Sequence, residues 1–431
     1  MAFRKLPDMA KWANRILFIR EGVAFMNYDF PYIRTLDDLL PAIEGRPEFV
    51  VAEKVGYTVV NYNVCFADTF PSTREHDYVD QALLSNDIGR QIMHAKLRRE
   101  CRGIIFNTAS RLIIRRPYHK FFNVGERAET LPSSISLAQP NEILEKLDGS
   151  MIAPFMVDDQ MIWGTKMGAT DVAKPVEEFV VLHPKYIRFA KKLLEDNLTP
   201  IFEWCSRKQR IVLDYPEDRL ILTAIRHMNI GEYVERSSML DMAVDWGIPY
   251  VQAFDGQVDI HSFIAYVEQL SDLEGFVVRF HDGHMVKTKC SWYVQIHKAK
   301  EAILQDRNIV QLILDNTIDD IKAHLLVEDC ARMVEFEEKL RDKILYQTSK
   351  ISEIIRFIQE SKMERKTYAL EYSQNNDAFV KQIVFRLWDD GKAAESDVYE
   401  QVCNTIRNNL NSNTKYDILK NIWLDGIAYN A

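Results

Sequence analysis

The sequence predicts an α+β protein in which an antiparallel-sheet domain is followed by an all-α C-terminal domain. Two observations predict this order. Up to about residue 300, short runs of β-branched and aromatic residues alternate with turns, as in Tyr57-Thr-Val-Val-Asn-Tyr. Over residues 301–358 and 378–410, apolar residues recur at three- and four-residue spacing, which is typical of helices that pack on a common core.

Composition and charge are those of an ordinary globular protein. The 431 residues are 47% hydrophobic and 27% charged, and the net charge of −9 argues against a protein coated in basic residues. The six cysteines are scattered without a Cys-x-x-Cys pair, so we expect reduced thiols and no zinc site. No signal sequence and no run of about 20 apolar residues occurs, so we expect a cytoplasmic protein without a membrane partner.

Changes in residue pattern divide the chain into three predicted parts. Residues 1–50 form an N-terminal extension of unknown role, residues 51–300 form the sheet domain, and residues 301–431 form the helical domain. The polar stretch near residues 68–98 is predicted to be a partly helical excursion from the sheet. The segment Arg210-Ile-Val-Leu-Asp-Tyr is predicted to be a further strand.

A basic stretch precedes the middle of the sheet domain. From Lys96 to Lys120 there are eight Lys and Arg residues against one acid, Glu100. One interpretation is a solvated hairpin at the edge of a sheet. The interleaved aromatic residues favour another, a groove that faces phosphates and in which Phe121 or Phe122 stacks on a base. The residues alone leave both interpretations open.

The tetrapeptide Lys146-Leu-Asp-Gly149 suits one chemistry well. The amine of a lysine can attack the α-phosphate of a nucleoside triphosphate and hold the nucleotide as a phosphoramidate. The amine must first lose a proton from a group whose pKa is ordinarily about 10.4, and nearby cations or a metal can lower that pKa. By itself so short a motif also fits a surface turn.

Acids and lysines at strand positions follow this tetrapeptide. Glu203 and Glu274 lie in or beside apolar strands, where a carboxylate is costly to bury without a partner. Lys287 and Lys289 are two residues apart, so both point to one face of a strand and could share an anion. Lys166 ends a hairpin that could bring it near Lys146. The alternatives are an acid paired with a structural arginine and a solvated pair of lysines.

Taken together, these segments resemble the covalent nucleotidyltransferase superfamily of ligases and capping enzymes, and more closely the phage RNA ligase 1 family. The resemblance runs from about residue 56 to beyond residue 370, with residues 68–98 as an insertion. The motifs that carry it are Cys101-Arg-Gly-Ile-Ile-Phe, Arg116-Pro-x-x-Lys-Phe-Phe-Asn, Lys146-Leu-Asp-Gly-Ser, Gln209-Arg-Ile-Val-Leu-x-Tyr, Lys287-Thr-Lys-x-x-Trp-Tyr-Val and Arg365-Lys-Thr-Tyr-Ala-Leu-Glu.

The resemblance implies a role for each matching residue. Lys146 would carry AMP taken from ATP. The groups acting on the α-phosphate or supporting the metal would be Lys166, Glu274, Lys287 and Lys289. The nucleotide would be bound by Arg102, Lys120, Phe122, which stacks on adenine, Gly149, Glu203 and Tyr293. Mg²⁺ (or Mn²⁺) would lie near Glu203 and Glu274.

A second acidic pair and a basic cluster have more than one interpretation. Asp319 and Asp320 resemble a family pair that can hold a second metal, but they would also suit the entry of a helix. Lys362, Arg365 and Lys366 are hypothesised to bind the RNA backbone, and an ordinary helix terminus is the alternative.

The resemblance implies a monomeric, ATP-dependent RNA ligase that joins 5′-phosphate and 3′-hydroxyl ends of RNA. Its substrate would be a broken RNA such as a cleaved tRNA anticodon loop, selected by the helical domain, in host cytoplasm if the chain is phage-encoded. A DNA ligase or a capping guanylyltransferase is the first rival, although both usually carry a β domain after the last lysine motif. A noncatalytic RNA-binding descendant of a ligase is the second rival, and it would be expected to have lost the lysine or the acids.

Overall fold

The computed structural model describes residues 28–66, 68–74, 87–254, 259–322, 325, 327–389 and 394–429. The chain divides into two compact units, Met1–Val294 and Gln295–Ala431. Sheets build the first unit and helices build the second, so the predicted α+β class is confirmed. Within the described ranges, no helix is long and apolar enough to cross a membrane.

Three sheets form the first unit. Their strand pairs are antiparallel, apart from one parallel pair at the edge of the third sheet. In spatial order, the first sheet contains β1 (Phe49–Lys54), β2 (Tyr57–Tyr62), β3 (Arg102–Asn107) and β4 (Ile113–Arg115). The second contains β10 (Arg219–His227), β9 (Leu198–Cys205), β7 (Ser150–Val157) and β8 (Gln160–Gly164). The third contains β11 (Ala253–Phe254), β6 (Asn141–Lys146), β12 (Gly275–Phe280), β13 (Met285–Lys289) and β5 (Phe122–Asn123).

The register of the third sheet brings distant motifs side by side. Gly275, at the start of β12, pairs with Lys146 on one side and with Lys289 on the other. Two residues along, Val277 pairs with Lys287. Because alternate residues of a strand share a face, this register sets Lys287 and Lys289 on the same face of β13.

Helices cover the sheets of the first unit. Their bounds are α1 (Leu40–Ile43), α2 (Ile88–Glu100), α3 (Lys174–Leu182), α4 (Lys185–Glu195), α5 (Arg236–Trp246) and α6 (Ile260–Glu268). Helix α4 buries Tyr186, Phe189, Ala190 and Leu193, whose spacing forms one apolar stripe. That stripe packs in a core cluster with Phe202 of the second sheet.

One local prediction differs from the structure. The predicted strand Arg210–Tyr215 is an irregular loop between β9 and β10. Its apolar residues pointed to a strand, but its backbone N–H groups bind a carboxylate instead of a neighbouring strand. The excursion near residues 68–98 ends in helix α2, and residues 75–86 within it lie outside the described ranges.

The second unit is helical. Its helices are α7 (Ser291–Ala302), which contains the division between the units, α8 (Asp306–Leu314), α9 (Ile318–Lys322), α10 (Val327–Glu360), α11 (Arg365–Thr367), α12 (Ala378–Asp389), α13 (Glu395–Asn409) and α14 (Asn413–Trp423). Helix α10 contributes Phe336, Leu340 and Ile344 to a buried cluster shared with the helices that follow. Lys362 has a φ of 49°, a left-handed conformation that follows the end of α10.

Candidate active site

The turn after Lys146 carries the chain from the third sheet into the second. Lys146 is the last residue of β6, and Ser150 begins β7 opposite Trp204. Gly149 makes this crossing possible because a Cβ there would lie 2.3 Å from the Trp204 carbonyl oxygen and 3.1 Å from Glu203 Cγ. The glycine of the tetrapeptide is therefore required by the close approach of the turn to β9.

Asp148 holds the lysine turn in place through buried hydrogen bonds. Its buried carboxylate accepts hydrogen bonds from the N–H groups of Val212 and Leu213, at 2.8 and 2.6 Å, and from the Tyr293 hydroxyl at 2.6 Å. The Asp148 N–H in turn donates to the Tyr215 hydroxyl at 3.0 Å. This network explains why the loop between β9 and β10 belongs with the lysine motif, although it forms no strand.

Two carboxylates flank the Lys146 amine. The Glu274 carboxylate forms salt bridges with the Lys146 ammonium at 2.7 Å and with the Lys289 ammonium at 3.0 Å. The Glu274 side chain is only 4% exposed. Glu203 lies against the turn, next to Gly149, and it also lines the cavity beside Lys146. Burial raises the pKa of Glu203 to about 7; the Glu274 carboxylate adds to the rise and Lys146 opposes it. The Glu203 carboxyl is therefore partly protonated near neutral pH.

A cavity of about 230 Å³ opens beside Lys146. Its lining includes five residues that the sequence placed in the site: Arg102, Lys146, Gly149, Glu203 and Lys287. Burial, together with the charges of Lys120, Lys146 and Arg102, lowers the pKa of Lys287 to about 7. So strong an accumulation of cations around a half-buried lysine indicates a place for an anion.

Two further predicted lysines share one aromatic ring. The ammonium groups of Lys120 and Lys166 lie 5.5 and 5.2 Å from the centre of the Tyr62 ring. Lys120 also influences Lys287 by its charge. Neither lysine is among the residues that line the cavity, so both lie beyond its edge.

Of the two adjacent phenylalanines, Phe121 lines the cavity and Phe122 does not. Phe122 is 1% exposed and packs edge-on against Phe70, with Lys120 and Arg127 at 4.9 and 5.1 Å from its ring. Phe122 begins β5 and its ring lies in the core, whereas Phe121 precedes the strand. The expectation that Phe122 stacks on a base is therefore corrected.

Tyr293 also lies outside the cavity lining. It is 2% exposed, and its hydroxyl binds Asp148, so it reaches the site through the lysine turn. Burial raises the pKa of this phenol, which keeps it a hydrogen-bond donor. A direct contact between Tyr293 and a nucleotide does not fit this position.

The predicted acidic pair and basic cluster lie in the second unit. Asp319, in α9, has a side chain that is 87% exposed and pairs with Lys322 at 3.3 Å, while the side chain of Asp320 lies outside the described part of the chain. Lys362 lines a cavity of about 370 Å³ together with Trp388. No group of three or more possible His, Cys, Asp or Glu metal ligands occurs among the described residues.

Sequence reasoning missed several residues of the cavity wall. Arg279 lies there and pairs with Glu142 at 2.6 Å. Tyr118 and Thr223 line the cavity as well. Arg279 is two residues after Val277 in β12, and both line the cavity. The two-residue periodicity of the strand was therefore a usable signal. Tyr118 and Thr223 carried none.

Comparisons with known proteins find RNA ligases among the similar proteins. Residues 100–293 match the family model described as RNA ligase. A putative RNA ligase of Thermovibrio ammonificans is 27% identical over 342 residues, which cover 77% of this chain and 83% of that protein. RNA ligase 1 of bacteriophage TS2126 is 24% identical over 253 residues, which cover 55% of this chain and 61% of that protein.

A solved structure of a Naegleria gruberi RNA ligase variant, with ATP and Mn, is 18% identical and has a TM-score of 0.33. The match covers 37% of this chain and 52% of that one, so this chain spans about half the length of that structure. On the matched motifs and the named relatives, the chain is similar to RNA ligases, a phage RNA ligase 1 among them.

Proposed function

We propose that this chain is an ATP-dependent RNA ligase that seals 5′-phosphate and 3′-hydroxyl ends of RNA through an adenylate carried on Lys146. The observation that carries the proposal is the position of the Lys146 amine. It lies 2.7 Å from Glu274, beside a cavity whose wall also includes Arg102 and Lys287. A nucleophilic amine next to fixed cations is what nucleotidyl transfer needs, since negative charge develops on phosphate oxygens.

In the first step Lys146 Nζ bonds to the α-phosphorus of ATP, and the bond to the bridging oxygen breaks. Pyrophosphate leaves with the bonding electrons. The proton lost by the amine passes to the Glu274 carboxylate, its hydrogen-bond partner at 2.7 Å, and then to solvent. Arg102 and Lys287 stabilise charge on the α-phosphate, while Lys120 and Lys166 meet the departing phosphates.

Two further transfers follow at the same cavity. An oxygen of the RNA 5′-phosphate attacks the phosphorus of the lysine-bound adenylate, and the amine of Lys146 leaves and regains its proton. A 3′-hydroxyl then attacks the activated 5′-phosphate, loses its proton to solvent and displaces AMP. Glu203, which lies beside Gly149 at the turn and lines the cavity, is proposed to hold the ribose hydroxyls of the nucleotide.

The donor set at the turn suits Mg²⁺ or Mn²⁺. Glu203 and Glu274 supply carboxylate oxygens, and Mg²⁺ usually takes one or two carboxylates together with waters and substrate phosphates. When bound, the ion would neutralise charge on the α-phosphate. Asp319 and Asp320 remain a proposed second acidic pair, although the exposure of Asp319 and its pairing with Lys322 favour a role at the helix.

RNA selection is assigned to the second unit in this proposal. Lys362 follows α10, and Arg365 and Lys366 lie in α11, so three cations fall within five residues. They are proposed to contact the backbone of the substrate, such as a cleaved tRNA anticodon loop. Replacing all three with Ala should weaken sealing of a nicked anticodon stem-loop and flatten its salt dependence, while lysine adenylation is unchanged. Unchanged sealing would contradict this role.

The end chemistry is tested with one RNA strand prepared in different forms. RNA with a 5′-phosphate and a 3′-hydroxyl should be joined in the presence of ATP and Mg²⁺, and Lys146→Ala should join none. RNA with a 5′-hydroxyl and a 3′-phosphate should stay unjoined. Sealing of a matched DNA nick in preference to RNA would identify the DNA ligase rival, and RNA binding without sealing would identify the noncatalytic one.

A further inference from the structure

Arg115 is a fully buried arginine whose partners are all backbone carbonyls. Nε and Nη2 donate to Gly103 O at 3.1 and 2.8 Å, and Nη2 also donates to Thr165 O at 2.8 Å. Nη1 donates to Ala153 O at 3.1 Å and to Gly164 O at 3.2 Å. These five bonds use every N–H group that an arginine has. Few other side chains could satisfy four carbonyls from one buried position.

The four carbonyls join two sheets at the phosphate side of the site. Gly103 belongs to β3 of the first sheet, whereas Ala153 and Gly164 belong to β7 and β8 of the second. The two sheets approach so closely that a Cβ at Gly103 would lie 2.7 Å from the carbonyl oxygen of Lys166. The guanidinium also lies over the Phe155 ring, at 5.1 Å from its centre.

Arg115 thus forms a bridge between the backbone of the two sheets, and the backbone segment at each end of this bridge is next to a cation of the site. Gly103 follows Arg102, which lines the cavity, and Thr165 precedes Lys166, whose ammonium shares the Tyr62 ring with Lys120. A shift of either backbone segment would move one of these cations relative to the other. Errors of about 1 Å in the placement of catalytic groups can cost on the order of a hundredfold in rate.

We propose that Arg115 is a positioning residue that fixes the spacing of Arg102 and Lys166 for the triphosphate and pyrophosphate groups of the nucleotide. This inference rests on the proposed function. Arg115 touches no substrate itself; it sets the backbone that carries two phosphate-binding side chains. Arg99 and Arg116, two other buried arginines of the basic run, each pair with a carboxylate, whereas the five N–H groups of Arg115 all donate to backbone carbonyls.

Arg116 offers a matched control. It is equally buried, and it also donates to carbonyls, those of Pro31, Met228 and Asn229. Its carboxylate partner is Glu100, at 3.1 Å. None of these partners is adjacent in sequence to Arg102 or Lys166. Arg116→Lys therefore reproduces the loss of a buried guanidinium without altering the bridge.

The test measures lysine adenylation at saturating ATP and the affinity for inorganic pyrophosphate in Arg115→Lys. The rate of lysine adenylation and the affinity for pyrophosphate should each fall about tenfold or more, because lysine has three donors for four carbonyls. In chains that already carry Arg102→Ala or Lys166→Ala, the further loss should shrink to about twofold, since groups that act together are not additive. Arg116→Lys should show no such coupling. An equal loss in every background would overturn the inference.

Two controls separate this inference from the proposed function. A wild-type chain that accepts no adenylate would contradict the function, and pyrophosphate affinity would still decide the role of Arg115. If Arg115→Lys does not fold, hydrogen exchange of the wild-type protein replaces it. Pyrophosphate should then protect the amides of residues 103–105 and 164–168 together, and protection of neither segment would overturn the inference.

Discussion

The Lys146 ammonium lies 2.7 Å from the Glu274 carboxylate, at the point where three strands of the third sheet meet. The same carboxylate holds Lys289 at 3.0 Å. Glu274 thereby fixes the direction of the amine and links it to a second cation. In the proposed reaction this contact must loosen as the amine becomes a nucleophile, so the pair describes the resting state of the site.

Truncation of the two adjacent phenylalanines should affect different properties: nucleotide binding for Phe121 and stability for Phe122. Phe121→Ala should weaken nucleotide binding by a factor of about ten with little change in the free energy of unfolding, because stacking of a base on an aromatic ring contributes about 1–3 kcal/mol. Phe122→Ala should lower the free energy of unfolding by about 3–5 kcal/mol, because its ring is buried. Calorimetric titration with nucleotide and urea denaturation check the pair. A reversal of the two effects would restore Phe122 as the stacking residue.

Tyr293→Phe should separate anchoring of the turn from nucleotide contact. It removes the 2.6 Å hydrogen bond to Asp148 and should lower the free energy of unfolding by about 1–2 kcal/mol. The adenylation rate should fall as the lysine turn loosens, while the concentration of ATP giving half the maximal rate stays nearly constant. Tyr266→Phe, at an exposed position, serves as the control. A changed ATP requirement with unchanged stability would instead favour direct contact.

Glu203 should make the stability of the protein depend on pH. Its pKa is raised from 4.5 to about 7 in the folded protein, so the folded state binds the proton more tightly than the unfolded state. Stability is therefore greater below the lower value and falls as pH rises through about 7. Glu203→Gln should abolish this loss and be more stable than the wild type at pH 8 by on the order of 2 kcal/mol.

Urea denaturation at pH 5 and pH 8 measures this difference. The advantage of Glu203→Gln should shrink greatly at pH 5, where the wild-type carboxyl is largely protonated in the folded state. Glu195→Gln, at the surface end of α4, provides a matched control that should show no such trend. An advantage equal at both pH values would rule out titration of Glu203 as its cause.

Lys287 should take up a proton when nucleotide binds. Burial and the neighbouring cations lower its pKa to about 7, so much of it is uncharged at pH 7.5. A bound phosphate favours the ammonium form and raises that pKa. Titration of Lys146→Ala with ATP and no metal, in two buffers of different ionisation enthalpy, should reveal the uptake. Adding Lys287→Met should remove it, and unchanged uptake would assign the proton to another group.

Much of the architecture was predictable because it follows from local patterns. Strand alternation and turn residues marked the hairpins, and three- and four-residue spacing marked the helices. The pairing of Lys287 and Lys289 on one face follows from the strand repeat alone. That they lie close to Lys146 and Glu274 depends on the order of the strands in the third sheet. The resemblance to a family implied this closeness, whereas local sequence patterns could not predict it.

Other features depended on tertiary contacts that leave no local signal. Phe121 and Phe122 are the same residue type, and only the position of the core decides which one is buried. The segment Arg210–Tyr215 has the composition of a strand, yet two of its backbone N–H groups donate hydrogen bonds to Asp148, which lies in another part of the chain. Arg115 looks like one more cation of a basic run until its four carbonyl partners are seen.

The most direct test of the proposed chemistry is the intact mass of the protein after incubation with Mg²⁺ and either ATP or GTP, beside Lys146→Ala. The proposal predicts a gain of one adenylate, from ATP alone and absent in the variant. A guanylate gain would contradict the choice of nucleotide and point to capping. No gain with either nucleotide, on folded protein first shown to carry no adenylate, would contradict the nucleotidyl transfer itself.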